Sequence, residues 1–280
     1  MQVIRAETAG FCMGVSLALK KLENAIRQNS GPIRTFGPII HNPQVLADFA
    51  RQGVKCITQA EAAQAEDLVL IRAHGITRNL ETLLRKRCAR VEDATCPKVK
   101  KAQLAIANAT KGGKALALFG ESEHPEVAGL VSYACGPAQV FSSRAELDTG
   151  SLKAERGVVL ASQTTQDRVT FEKIAAELAA LYPEITILNT ICDATAERQK
   201  EALAIAGRVD AMVVVGGRQS GNTRRLASLA LGSGIETYLV ETCAELSAES
   251  FAGKNLVGLT AGASTPKNLI DAAYEWLLAL

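Results

Sequence analysis

Three cysteines, Cys12, Cys96 and Cys192, stand 84 and 96 residues apart, and each follows a short apolar run and opens an amphipathic segment. From each of them, 28 or 29 residues on, a strand-like run ends in a polar loop residue: His41, His124 and Ser220. Self-similarity at this period marks repeated supersecondary units. The expectation is three related modules, each contributing one thiolate to a shared centre. Three thiolates with no equivalent fourth leave a metal centre one open coordination position. In a 4Fe-4S cluster, which usually takes four cysteines, that position exposes an iron that acts as Lewis acid and electron donor. A zinc ion with three cysteine ligands is the other option, although no Cys-x-x-Cys occurs in the chain. Cys56, Cys88, Cys135 and Cys243 read as small core residues.

All three histidines, His41, His74 and His124, fall on expected strand-exit loops. Ser220 and Asn222, then Thr164 and Ser264, take the corresponding places elsewhere. Hydrogen-bond donors at helix starts, beside free backbone N–H groups, favour an anion such as a phosphate or diphosphate. Gly75, Gly216, Gly217, Gly221 and Gly262 let the backbone come close to it. Glu126, in His124-Pro125-Glu126, is a candidate proton donor with its pKa raised by burial and neighbouring negative charge. A first-turn residue of a helix is the competing reading for Glu126. Asp93 and Asp193, near cysteines, read as turn or capping residues.

The elements that must position these residues follow from periodicity. A helix is expected over 14–28, closed by Asn29, Ser30 and Gly31, then strand Ile33 to Phe36, helix Pro43 to Gln52, strands Val54 to Ile57 and Leu68 to Ile71, and helix 78–88. The middle third repeats the plan with helix 98–109, strand Ala115 to Phe119, helix 126–133, a weak strand near Val140, strand Gly157 to Ala161 and a long helix ending near Tyr182. The last third gives helix 195–206, strand Ala211 to Val215, helix 223–232, strands Thr237 to Val240 and Leu256 to Leu259, and helix 266–279. Modules one and two each end in a strand leading to the next cysteine, and module three does not. Val3 to Arg5 is the unclaimed strand and is expected to complete the third sheet. The fold class is therefore α/β: three similar small parallel-sheet αβα modules (13–96, 97–192, and 193–280 completed by 1–12) in a pseudo-threefold ring around a central cavity.

Of 280 residues, 48% are hydrophobic, enough for a substantial core. With 31 basic and 29 acidic side chains, a net charge of +2 and 4% aromatics, the chain lacks the footprint of a nucleic-acid binder. No leader pattern is seen, and no apolar stretch approaches the roughly 20 residues of a membrane span, so a cytoplasmic location is expected. Seven cysteines, an odd number, suit thiols in a reducing compartment rather than a disulfide framework.

The motifs Gly10-Phe11-Cys12-Met13-Gly14-Val15, Ile40-His41-Asn42, Ala73-His74-Gly75, Asp93-Ala94-Thr95-Cys96-Pro97, His124-Pro125-Glu126-Val127, Gln163-Thr164-Thr165, Cys192-Asp193-Ala194-Thr195, Ser220-Gly221-Asn222-Thr223 and Thr260-Ala261-Gly262-Ala263-Ser264 resemble, in order and over nearly the whole chain, those of the LytB/IspH family of 4-hydroxy-3-methylbut-2-enyl diphosphate reductases. The resemblance implies reductive dehydroxylation of an allylic alcohol diphosphate to isopentenyl and dimethylallyl diphosphates, the last step of the methylerythritol phosphate route. It implies that Cys12, Cys96 and Cys192 hold a 4Fe-4S cluster and that His41, His74, His124, Ser220, Asn222 and Ser264 bind the diphosphate. It implies further that Thr164 positions the substrate oxygen, that Glu126 supplies the proton, and that a ferredoxin or flavodoxin donates electrons. Members commonly have a second serine where this chain has Gly221, whose backbone N–H would substitute. The competing function, from the residues alone, is a non-catalytic iron-sulfur or zinc redox sensor.

Overall fold

Short apolar runs separated by amphipathic stretches dictate parallel strands joined by crossover helices. The computed structural model describes residues 1–28, 31–150, 152 and 154–280. Its elements are β1 (Gln2–Arg5), α1 (Met13–Arg27), β2 (Ile33–Phe36), α2 (Pro43–Arg51), β3 (Lys55–Ile57), β4 (Leu68–Ile71), α3 (Arg78–Arg87), β5 (Arg90–Asp93), α4 (Pro97–Ala109), β6 (Ala115–Phe119), α5 (Pro125–Val131), β7 (Ala138–Phe141), β8 (Val158–Ser162), α6 (Arg168–Leu181), β9 (Thr186–Ile187), α7 (Asp193–Ala206), β10 (Ala211–Val215), α8 (Gly221–Gly232), β11 (Glu236–Val240), β12 (Leu256–Ala261) and α9 (Lys267–Leu278). Asn29 and Ser30, expected to close the first helix, lie outside the described residues.

The strands form three four-stranded sheets with one common order: β3-β2-β4-β5, β7-β6-β8-β9 and β11-β10-β12-β1. Every pairing is parallel. In the last sheet the outer strand comes from the other end of the chain, with Gln2 opposite Leu256 and Arg5 opposite Leu259. Chain direction across each sheet reverses between β2 and β4, β6 and β8, or β10 and β12. Such a switch point opens a crevice at the carboxyl ends of its strands.

Central strands are buried on both faces and so read as unbroken apolar runs rather than alternating ones. In β10, Val213 and Val215 pack with Val257, Leu259, Ile270 and Leu277. On its other face, Met212 meets Ile205 and Val209, and Val214 meets Ala202 and Leu226. The middle sheet repeats this with Leu116 and Leu118 against Ile106 and Leu130. In the first sheet, Val69 and Ile71 pack with Ile57 and Leu84.

Two compact units result. One comprises Met1–Ser16, Ile40–Phe49 and Asp193–Leu280 and carries the sheet of β10; the other comprises Leu17–Ile39 and Ala50–Cys192 and carries the remaining two sheets. The sequence reading placed all of 13–96 together. In the structure Ile40–Phe49 is compact with the carboxy-terminal stretch, where the Ser264 hydroxyl donates to the His41 carbonyl at 3.1 Å.

Three short 3-10 turns that carry too few residues to show a period also repeat, at Ala60–Ala62, Arg144–Glu146 and Cys243–Glu245. Of the four cysteines read as core residues, only Cys88 is buried. Cys56 and Cys135 are exposed and Cys243 is half-buried. Cys56 lies on the edge strand β3, where just Ile57 reaches the core.

Candidate active site

Each sheet delivers the same set of backbone positions to its carboxyl end. One residue past β2, β6 and β10 stand Gly37, Gly120 and Gly216, whose N–H groups donate to Ile57, Phe141 and Val240 carbonyls at 2.7, 2.8 and 2.8 Å. Five residues past the same strands stand His41, His124 and Ser220. The last two are the N-caps of α5 and α8. Asn42 does the corresponding work for α2, its Oδ1 accepting the Val45 N–H at 3.0 Å. Three helix amino-termini, with N–H groups that have no partner within their helix and positive dipole ends, thus carry the residues singled out as anion ligands.

The cysteines are placed by an equally regular rule. The N–H of Cys96 donates to Ala73 O at 2.9 Å, that of Cys192 to Thr164 O at 2.9 Å, and that of Cys12 to Ala263 O at 3.2 Å. Each acceptor lies two residues beyond the end of β4, β8 or β12. All three thiols are half-buried and free of disulfides. Soft thiols, held by one backbone bond at a repeated position just before a helix, are the donor chemistry an iron-sulfur core requires.

The pairing registers set Ile71, Ser162 and Ala261 at one level. His74 therefore corresponds to Thr165 and Ser264, and Thr164 to Ala73 and Ala263. The sequence reading equated Thr164 with His74, one residue out of step. The consequence is chemical, because Thr164 holds Cys192 through its carbonyl and turns its donors elsewhere.

Those donors meet Glu126. Thr164 N–H reaches Glu126 Oε1 at 2.6 Å, and the Thr164 hydroxyl reaches Oε2 at 3.0 Å. Burial of Glu126 is complete enough to raise its pKa to about 7, against the opposing pull of the two Thr164 bonds. Of the two causes expected from sequence, burial is the one that lifts it, and neighbouring charge is not among the causes. A carboxyl poised near neutrality can hold a proton and release it.

His124 lies edge-on to His74, with ring centroids 5.3 Å apart. Its Nδ1 accepts the Glu126 N–H at 3.2 Å, which assigns the neutral-ring proton to Nε2. His124 thereby keeps an Nε2–H donor and clamps the backbone of Glu126. Gly75 next to His74 has φ of +73°, and a Cβ there would lie 3.0 Å from Gln103 Nε2. Gly217 passes so close to the His41 carbonyl that a Cβ would lie 2.5 Å from it. Ser220 Oγ accepts the Thr223 N–H at 3.3 Å, which leaves its hydroxyl proton for another acceptor. Asn222, seven residues past β10 as Glu126 is past β6, is buried with both amide atoms lacking a partner among the described residues. A buried amide in that state is costly unless a ligand completes it. Gly221 is buried as the first residue of α8. Asp93 is a turn residue, as expected, accepting from Thr95 N–H at 2.9 Å, and it also pairs with Lys100 at 2.9 Å. Burial alone would raise its pKa, but these bonds outweigh it and the net shift is downward.

Sequence reasoning missed Arg198. Its guanidinium is buried and donates to Ala261 O and Gly10 O, both at 3.0 Å, fixing the loop that carries Cys12. The signal was present as a charge on the inward face of a helix that opens just after a cysteine. Gln166 was missed too, buried beside Thr164 with its amide toward Gln163 at 3.4 Å.

Three like parallel sheets presenting thiols, imidazoles and a buried carboxyl at their strand ends define an α/β enzyme. Residues 3–278 match the family model described as LytB protein, and the chain belongs to that family. It is 58% identical over 286 residues, 100% of both chains, to the 4-hydroxy-3-methylbut-2-enyl diphosphate reductase of Desulfovibrio desulfuricans. Among solved structures it is similar to (E)-4-hydroxy-3-methyl-but-2-enyl diphosphate reductase, the terminal enzyme of the non-mevalonate pathway, with 38% identity, a TM-score of 0.72 and 100% of both chains covered. It is likewise similar to the E-1-hydroxy-2-methyl-but-2-enyl-4-diphosphate reductase of Plasmodium falciparum, with 25% identity, a TM-score of 0.93 and coverage of 100% of this chain and 88% of that one. No helix among the described residues is long and apolar enough to cross a membrane.

Proposed function

We propose that this chain is a 4-hydroxy-3-methylbut-2-enyl diphosphate reductase, converting its substrate to isopentenyl and dimethylallyl diphosphates in the methylerythritol phosphate pathway. The observation that carries the reading is the Glu126–Thr164 pair, a buried carboxyl with a pKa of about 7 in a chain of this family. A sensor has no use for such a proton store.

In this reading His41, His74, His124, Ser220, Asn222 and Ser264, with the Gly221 N–H, bind the diphosphate and hold the allylic end of the substrate in place. Asn222 gains the partners it lacks in the protein alone. Cys12, Cys96 and Cys192 would hold a 4Fe-4S cluster, which when bound supplies electrons and a Lewis-acidic iron to the substrate oxygen. Thr164 orients that oxygen. Glu126 gives it a proton so that it leaves as water, and protonation of the allyl carbon completes the product. Two electrons and two protons are consumed for each C–OH bond replaced by C–H. The electrons come from a ferredoxin or flavodoxin, and the cytoplasm is the compartment that keeps the thiols reduced.

The test is turnover. Protein purified and reconstituted without oxygen, given the hydroxylated diphosphate and dithionite-reduced methyl viologen, is expected to yield both isopentenyl products. Iron-loaded protein that binds the diphosphate and leaves it unchanged would rule the reading out.

A further inference from the structure

Reduction requires electrons from outside, and the helices that follow the cysteines differ in the charge they show to solvent. α1 begins directly after Cys12 and α4 directly after Cys96. On the exposed face of α1 stand Leu17, Lys20, Lys21 and Glu23, and on that of α4 Lys98, Lys101 and Leu104, so cations outnumber the carboxylate four to one. α4 contains three lysines and no carboxylate. The two helices are tied together at Asp93, whose carbonyl accepts from Lys21 Nζ at 2.6 Å and whose carboxylate pairs with Lys100 at 2.9 Å. That pair consumes the carboxylate of Asp93 and leaves Lys20 and Lys101 to the solvent. Leu17 and Leu104 are 41% and 53% exposed, so apolar surface lies among the cations. α7, which follows Cys192, shows Asp193, Glu197 and Lys200 instead, a face on which acid outnumbers base.

We propose that the α1–α4 face is the docking surface for a small electron-carrier protein with an acidic rim around its redox centre. Charge complementarity names the partner: lysines steer and orient an acidic surface, and exposed leucines supply the dry contact at its middle. Lys101 is five residues beyond Cys96, roughly 7 Å along the helix axis, so a carrier seated there is close to a cysteine. The carrier is oxidised by one electron per encounter. Two encounters supply the two electrons that, with two protons, replace C–OH by C–H and release water. The surface deepens the reductase reading and rests on it.

The experiment uses reconstituted holoenzyme, an acidic two-iron ferredoxin as the probe, basic cytochrome c as the charge control and reduced methyl viologen as the small-molecule reductant. In the combined variant Lys20→Glu and Lys101→Glu, binding of oxidised ferredoxin at low salt is expected to weaken about tenfold, with ferredoxin-driven turnover falling in step. Viologen-driven turnover is unchanged, and Lys20→Arg with Lys101→Arg keeps ferredoxin binding. Equal ferredoxin binding by the unaltered and charge-reversed proteins, or cytochrome c binding as tight as ferredoxin, overturns the docking surface. Absence of viologen-driven turnover in the unaltered protein overturns the reductase reading and this surface with it. The two failures are thereby told apart.

Discussion

Thr164 gives both of its donors to the two carboxylate oxygens of Glu126, its N–H to Oε1 at 2.6 Å and its hydroxyl to Oε2 at 3.0 Å. The carboxyl is fixed in place by a neighbour whose own carbonyl holds the N–H of Cys192. Replacing Glu126→Gln keeps the shape and one acceptor for the Thr164 N–H but removes the transferable proton. Turnover is expected to fall by about 10²–10⁴, with iron content and diphosphate affinity retained. Loss of iron together with activity would assign Glu126 a structural role.

The pH response follows from the sign of the shift. Glu126 is raised from 4.5 to about 7, so the folded protein binds a proton that the unfolded chain has released. This contribution to stability is full below the unfolded value and is lost as pH rises toward 7. The loss is on the order of 3 kcal/mol. Denaturant unfolding of apo-protein between pH 4.5 and 8 should show that decline, and Glu126→Gln should lack it. Turnover should fall through the same upper limit as Glu126 deprotonates.

Thr164→Val removes the hydroxyl bond and leaves the N–H bond. The hydroxyl pulls the Glu126 pKa down, so its removal is expected to move the alkaline limb of kcat to higher pH while lowering kcat itself. A limb that stays fixed would show that another group sets it.

Asn222, proposed above as a diphosphate ligand, is buried with an amide that has no partner among the described residues. Asn222→Leu removes a buried amide that has no partner among the described residues, and apo stability should stay level or rise by about 1 kcal/mol. KM for the diphosphate should rise about tenfold or more. Thermal unfolding and steady-state kinetics on one preparation decide between this and a core role, which would show lost stability.

Gly221 opens α8 and is not among the glycines with positive φ, so a side chain meets no backbone strain there. Gly221→Ser adds a hydroxyl beside Ser220 and should tighten diphosphate binding about fivefold, the worth of one hydrogen bond. Calorimetric titration with inorganic diphosphate checks it.

The fold was legible because its central strands are buried on both faces. Leu68–Ile71, Ala115–Phe119 and Ala211–Val215 read as unbroken apolar runs bounded by glycine and polar residues. β9 was harder, since only Thr186–Ile187 pair and the rest of the run toward Cys192 is loop. The cysteines and histidines were legible as types at a repeat. The exact level of Thr164 was not, because one residue of offset between loops depends on where a strand stops pairing. Arg198 escaped because a helical arginine normally points outward, and the two carbonyls that draw it in come from distant parts of the chain.

The account turns on three thiolates holding one cluster with an iron left open. Iron and sulfide analysis with a Mössbauer spectrum of the reconstituted protein, before and after addition of the hydroxylated diphosphate, tests it most directly. About four irons and four sulfides per chain are expected, with one iron distinct from the rest and altered by substrate. Zinc in place of iron, or equivalent irons that substrate leaves unchanged, would contradict it.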